Sequence, residues 1–312
     1  MSGPASNLDL VSAMNFIAGL AAKGGPYLEE YPELTDACIV FSIARNNGCI
    51  SEAEHSEFMS SLGPAGTLES LMGHIYHKPY GYAGDFEILD KLYCHHVSSD
   101  PRVVRWDEYV QQVPLSGSVR NRGPYLHAVL SKALERHNVH LPFHLVSLGS
   151  GPARDIAYAL NRISRHHIQN VRVTCIDMDG RALAHSQKVL RDFTGAVEYK
   201  QVNALRLRLS ERADLLWASG LFDYFSDRVF VRVLRNALKQ ISTGGEIVVG
   251  NFSDTCPRHG PMNFAAWQLV LRGRDALHAA AIAAGADPAD VYVDMEPQGL
   301  NLFLHIGGRH HD

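Results

Sequence analysis

The sequence predicts an α/β protein: a seven-stranded sheet, mostly parallel with an antiparallel last strand, preceded by an all-helical N-terminal cap. Three observations carry this. From about residue 143, short apolar runs alternate with helical patterns, as in a parallel sheet with both faces covered. Before that point only helical periodicity stands out. The first apolar run ends in Gly-Ser-Gly-Pro, where an open parallel sheet holds its ligand.

In chain order, "LDLVSAMNFIAGLAA" has helical spacing and should stop at Gly24-Gly25. "LTDACIVFSIARNN" and "GTLESLMGHIYHK" repeat the pattern, with Thr67 as the expected cap of the second. "DFEILDKLYCHHV" starts with Asp85 at an N-cap and Glu87 in the first turn. "VRNRGPYLHAVLSKALERHN" carries Pro124, tolerable in a first turn.

Then come the strands. "FHLVSLG", "VRVTCID", "VEYKQV", "ADLLWAS" and "GGEIVVGNF" are followed in turn by helices, except that the third leads straight to the fourth. The last of these helices is expected through "FAAWQLVLRGRDALHAAAIAA". "VYVDM" and "LNLFLHI", joined by "EPQG", read as a closing hairpin. The expected division is 1–139 for the helical cap and substrate-binding domain, and 140–312 for the sheet domain.

Bulk properties narrow the function. The chain has 312 residues, 46% hydrophobic and 20% charged, with a net charge of −4, an ordinary globular balance. Nucleic-acid binding needs a basic face, so none is expected. Cys38, Cys49, Cys94, Cys175 and Cys256 are scattered without a C-x-x-C, so neither a disulfide framework nor a zinc site is expected. His74 with His77, and His95 with His96, lack acidic or cysteine partners at ligand spacing, so no metal is expected. "MSGPASNLDL" does not read as a signal peptide, and "ALHAAAIAAGA" is too short to span a bilayer. A cytoplasmic chain with no membrane partner is the expectation, acting on a small molecule, alone or as a homodimer.

The glycines point to the chemistry. Gly149 suits a tight turn with positive φ, and Gly151 removes a side chain where a ligand must approach. A dinucleotide fingerprint wants a third small residue, where this chain has Arg154. S-adenosylmethionine has no pyrophosphate and needs only room for its methionine arm. Asp177, ending the second strand, suits the two hydroxyls of a ribose; the alternative is a cap for the next helix. Met178 beside it suits an adenine face. Asn203, after the third strand, suits the adenine edge or an ordinary turn.

"LVSLGSGPARD", "CIDMD", "QVNAL", "LLWASGLFDYF" and "GGEIVVGNF", with the antiparallel tail, resemble the Rossmann-like class I S-adenosylmethionine-dependent methyltransferases over residues 140–306. "HKPYGYAGDFEILDKLY", "SVRNRGPYL" and "GLFDYFSD" resemble a bacterial subgroup that includes methylators of the carboxyl group of 3-hydroxy fatty acids. "GPMNFAAWQLVLRGRDAL" departs from that pattern, being less greasy than a long-chain pocket. The resemblance implies Gly149, Ser150 and Gly151 on the methionine arm and Asp177 on the ribose. It also implies Asn203 and Ala204 near the adenine and Gly220 with Leu221 at the mouth of the site.

In "YGYAGDFE", Tyr80 and Tyr82 offer aromatic walls to a sulfonium, and Asp85 a partner for the cofactor's ammonium; the other reading is a capped turn with packed tyrosines. Arg120 or Arg122 suits a carboxylate, from the cofactor or an acidic substrate, or forms a solvated face. Methyl transfer asks mainly for alignment and exclusion of water. Where a base is needed, the candidates are His77, Tyr80, Tyr82, Asp223 and Tyr224. Phe222 and Tyr224 suit the walls of the methyl path, though Phe222 also suits the core. Asn263, Trp267 and Arg272 are expected to reach the acceptor, with core packing as the alternative for Trp267. The acceptor expected is a carboxylate or an amino-acid-like metabolite. The rival functions are an NAD-dependent oxidoreductase and a cofactor-binding protein without turnover.

Overall fold

A computed structural model describes residues 8–255 and 260–307. Cys256 and the first seven residues lie outside the described residues. The chain forms two compact units: Met1–Gly117 with Cys256–Gln268, and Ser118–Thr255 with Leu269–Asp312. The expected boundary at 139/140 therefore falls inside the second unit, which takes most of a long helix, and a later segment returns to the first.

The first unit begins with α1 (Leu10–Ala22). It continues through α2 (Tyr31–Asn46), α3 (Glu52–Ser61), α4 (Leu71–His77), α5 (Phe86–Tyr93) and α6 (Val104–Gln112). Ser51 and Glu54 form a reciprocal capping box on α3. The cap of α4 is Ser70, whose side chain accepts from the Gly73 amide, and not Thr67. Asp85 caps α5 as the sequence implies, accepting from Glu87 and Ile88.

Next, α7 (Pro114–Arg136) crosses into the second unit. Pro124 lies inside it, not in its first turn, because the helix begins ten residues earlier. Its ring removes one N–H from the helical ladder. Then follow β1 (Phe143–Leu148), α8 (Arg154–Leu160), α9 (Arg165–Ile168), β2 (Val171–Asp177), α10 (Gly180–Val189), β3 (Val197–Gln201) and β4 (Ala213–Ala218). They lead to α11 (Asp227–Leu238) and β5 (Ile241–Phe252).

The expected single helix through "FAAWQLVLRGRDALHAAAIAA" is two helices: α12 (Gly260–Phe264) and α13 (Arg274–Ala284). Between them Ala266 has φ +57°, and Arg272 donates its backbone N–H to Phe252. Tertiary hydrogen bonds thus replace the helical ladder there. β6 (Val291–Met295) and β7 (Asn301–Gly307) close the chain.

The sheet order is β3-β2-β1-β4-β5-β7-β6. The first five strands run parallel, and β7 is antiparallel to both β5 and β6. Strand alternation splits the core into two layers. Val146, Leu216, Ala218, Val249 and Leu304 pack with α11 and α13. Leu145, Leu215, Trp217, Val248 and Phe303 pack with α7 and α8. The order reverses between β1 and β4, which places a crevice beyond their carboxyl ends. Among the described residues, no helix is long and apolar enough to cross a membrane, and no group of three or more metal-ligating side chains occurs.

Candidate functional site

The turn after β1 is stitched to β2. The Ile176 carbonyl accepts both the Gly149 amide (2.8 Å) and the Ser150 amide (3.0 Å). Gly149 has φ +69° and Gly151 φ +50°, conformations a side chain disfavours. A Cβ on Gly149 would also lie 2.9 Å from the Cβ of Leu221, so the turns after β1 and β4 touch. Ser186 of α10 donates its hydroxyl to the Gly151 carbonyl at 2.7 Å.

Asp177 ends β2 beside this turn. Its Oδ2 accepts the Gly151 amide at 2.9 Å, and its Oδ1 accepts the Asp179 amide at 3.0 Å. Burial pushes the carboxyl pKa upward, while these amides pull it back. Each oxygen retains lone pairs for a further donor. The helix that follows is capped by Asp179, not Asp177. Met178 is exposed, at 69%. Asn203 Oδ1 accepts the Leu205 amide at 2.9 Å, capping a short 3-10 turn over Ala204–Arg206, so its oxygen is a turn former.

Beyond β4, Arg122 of α7 lies against Gly220, where a Cβ would come 2.5 Å from Nη1. Arg122 is buried and its Nε has no hydrogen-bond partner; the buried Ser150 hydroxyl has none either. Such orphans cost about 1–3 kcal/mol each, and cluster where a ligand completes a site. Arg120 on the same helix is only partly buried.

Asp155 escaped the sequence reading. Its Oδ2 accepts the Trp217 indole N–H (2.7 Å) and the Ser219 hydroxyl (2.9 Å), fixing the end of β4. A carboxylate in the first turn after G-x-G was the available signal.

Several expected substrate residues have structural duties. Phe222 is fully buried, with Phe230 and Phe225 ring centroids at 4.7 and 5.3 Å, so it belongs to the core and not to a methyl path. Arg272 is also committed. It donates to Asp227 Oδ1 (3.0 and 2.8 Å), Asn251 Oδ1 (2.8 Å) and the Phe225 carbonyl (2.6 Å), leaving no fork for an acceptor. Asp223 is buried and accepts the Phe252 amide at 2.6 Å. Its burial raises the carboxyl pKa to about 6, against the pull of Arg122 and Arg272. Tyr224, 40% exposed, remains at the β4 end.

The other expected residues lie in the helical unit. Both Asp85 oxygens lie 3.1–3.2 Å from His74 Nε2, and Oδ1 also takes two α5 amides. Buried and already holding the His74 ring and two helix amides, Asp85 acts as a helix cap. His77 Nε2 donates to the Gly66 carbonyl at 2.8 Å, bracing a turn and leaving Nδ1 as the basic nitrogen. Tyr80 donates its hydroxyl to Glu87. Tyr82 is 37% exposed, Asn263 is half-buried, and Trp267 is buried, as its core reading holds.

No family model matches the sequence, and no curated protein sequence does. Solved structures do match. A possible exported protein from Bordetella parapertussis is 15% identical, with 99% of this chain and 100% of that chain covered and a TM-score of 0.59. The CurJ carbon methyltransferase is 14% identical, with 96% of this chain and 90% of that chain covered and a TM-score of 0.58. At such identities the likeness is one of fold: this chain has the Rossmann-like α/β fold of a methyltransferase.

Proposed function

We propose that the protein is an S-adenosylmethionine-dependent methyltransferase acting on a small carboxylate or amino-acid-like molecule. The observation that carries the reading is the Asp177 carboxylate. Two backbone amides fix it beside a glycine turn, with lone pairs left for a ribose diol. The residues fit this cofactor better than a dinucleotide. Arg154 stands where the dinucleotide fingerprint wants a small residue. The orphaned Ser150 hydroxyl lies in the turn assigned to the methionine arm.

In this reading Gly149, Ser150 and Gly151 receive the methionine arm, Asp177 the ribose, and Gly220 the mouth of the site. Met178, Asn203 and Ala204 border the adenine. Arg122 supplies a cation for a carboxylate. When bound, S-adenosylmethionine supplies a methyl carbon on cationic sulfur: the acceptor's lone pair bonds that carbon, and the carbon–sulfur pair stays on a neutral thioether. No acid is needed for that leaving group. The chain's work is alignment and exclusion of water. For an acceptor that must lose a proton, Tyr224 is the exposed titratable group of the turn after β4, beside the buried Asp223. The likeness of "YGYAGD" to carboxyl methylators supports a carboxylate-bearing acceptor.

Calorimetry tests the reading. S-adenosylhomocysteine should bind and NAD should not. Binding of NAD in preference would replace the methyltransferase with an oxidoreductase.

A further inference from the structure

Asn301 opens β7 and stands opposite Phe252, the last residue of β5, in antiparallel register. Its side chain is fully buried, and neither its amide nitrogen nor its oxygen has a hydrogen-bond partner. A core position usually excludes such a group, because a buried polar atom without a partner is destabilising.

Its neighbours are tied firmly. The buried Glu296 carboxylate accepts backbone amides of Gln298 (2.7 Å), Leu300 (2.9 Å) and Asn301 (3.1 Å). It also accepts Ser118 Oγ (3.1 Å) and Asn121 Nδ2 (2.6 Å) of α7. The start of β7 is thereby fastened to the turn of α7 that carries Arg122. Residues paired across a sheet share a face, as do alternate residues of one strand. Asn301, Phe252 and Phe303 therefore face α7, whose Tyr125 stacks on Phe303 at 4.0 Å. The Arg122 guanidinium lies over the Phe252 ring at 5.6 Å, and its Nε is the other unpartnered polar atom there.

Among the described residues around Phe252, this layer thus carries two unused donor atoms, Arg122 Nε and Asn301 Nδ2, and one unused acceptor, Asn301 Oδ1. A carboxylate satisfies the donors, and an ammonium on the adjacent carbon satisfies the acceptor. We propose that Arg122 and Asn301 receive the α-amino-acid group of the methyl acceptor. This rests on the methyltransferase reading and narrows it to a substrate class. Strand position points the Asn301 end of the pair toward the acceptor, while Arg122 also borders Gly220 at the end of β4. The glycine turn follows β1, whereas Asn301 lies on β7, three strands and about 14 Å away.

The test pairs two measurements on the full chain. Affinities for S-adenosylhomocysteine and 5′-methylthioadenosine are taken by calorimetry. Tritium transfer from methyl-labelled S-adenosylmethionine is followed to each proteinogenic L-amino acid and its carboxamide. The expected result is saturable methylation of at least one free amino acid and not of its carboxamide. Asn301→Leu should raise that KM about tenfold or more while changing S-adenosylhomocysteine affinity less than about twofold. It should melt no lower than the parent, since an orphaned amide has gone. Asn301→Asp, matched in size and repelling a carboxylate, gives the same comparison should the leucine variant misfold.

Three results would overturn the proposal: no amino acid methylated by a chain that binds S-adenosylhomocysteine; a parental KM in a folded Asn301 variant; or an affinity loss confined to S-adenosylhomocysteine, which hands the pair to the cofactor. A parent chain that binds neither nucleoside overturns the methyltransferase reading itself.

Discussion

Asp85, buried in the helical unit, and Asp177, partly buried in the sheet unit, are two carboxylates that the sequence assigns to one ligand. Their hydrogen bonds separate them. Asp85 caps α5 through two amides and also holds the His74 ring. Asp177 takes the Gly151 amide on one oxygen and the Asp179 amide on the other, with lone pairs left over. A carboxylate that serves a ligand must be held in place with room for a further donor; Asp85 instead spends its bonds on a helix start and a buried ring. The contrast extends to the buried polar atoms around them. In the sheet unit, Ser150 and Arg122 are orphaned near strand ends. In the helical unit, His55 Nε2 is orphaned among the rings of Phe41 and Tyr76.

The largest effect should come from breaking the saturated member. Asp85→Ala strands the His74 ring and two helix amides, and should cost about 3–5 kcal/mol in urea denaturation. A loss below about 1 kcal/mol would mean that the cap is dispensable.

The two units should also answer acid in opposite directions. Burial lowers the His55 pKa from 6.5 to about 4. The folded state thus prefers neutral His55, whose stabilisation is complete above pH 6.5 and is lost as pH falls toward 4. Burial raises the Asp223 pKa from 3.8 to about 6. Its protonated form favours folding, a contribution complete below pH 3.8 and lost as pH rises through about 6. Relative to His55→Phe, the parent should lose stability on acidification; relative to Asp223→Asn, it should gain, each by about 3 kcal/mol over its window. Slopes of the same sign would remove the contrast.

Glycine substitutions should give the smallest effects. Gly81 and Gly149 both have positive φ, but only Gly149 would drive a Cβ into a neighbour, Leu221. Gly81→Ala should cost about 1 kcal/mol and spare S-adenosylhomocysteine binding. Gly149→Ala should cost about 2 kcal/mol and weaken it. Equal effects on binding would detach the turn from the ligand.

Much of this was legible in the sequence because it is local. Alternation located all seven strands, and the Gly149–Gly151 turn follows from φ and side-chain size. The Asp85 cap was read from its place before an amphipathic run. What escaped depends on partners far along the chain. His74, eleven residues before Asp85, takes up the oxygen that the α5 amides leave. Arg272 resembles an acceptor-binding arginine until Asp227 and Asn251 are seen to consume it. The break between α12 and α13 is invisible in helical periodicity, because bonds to the end of β5 impose it. Asn301 reads as an ordinary strand residue, and only its burial without partners marks it out.

The most direct test is titration of S-adenosylhomocysteine into the parent, Asp177→Asn and Asp85→Asn, each checked for folding by circular dichroism. The expected result is binding by the parent, a loss of about thirtyfold or more in Asp177→Asn, and a change below about twofold in folded Asp85→Asn. Undiminished affinity in Asp177→Asn, or no binding by the parent, would contradict the account.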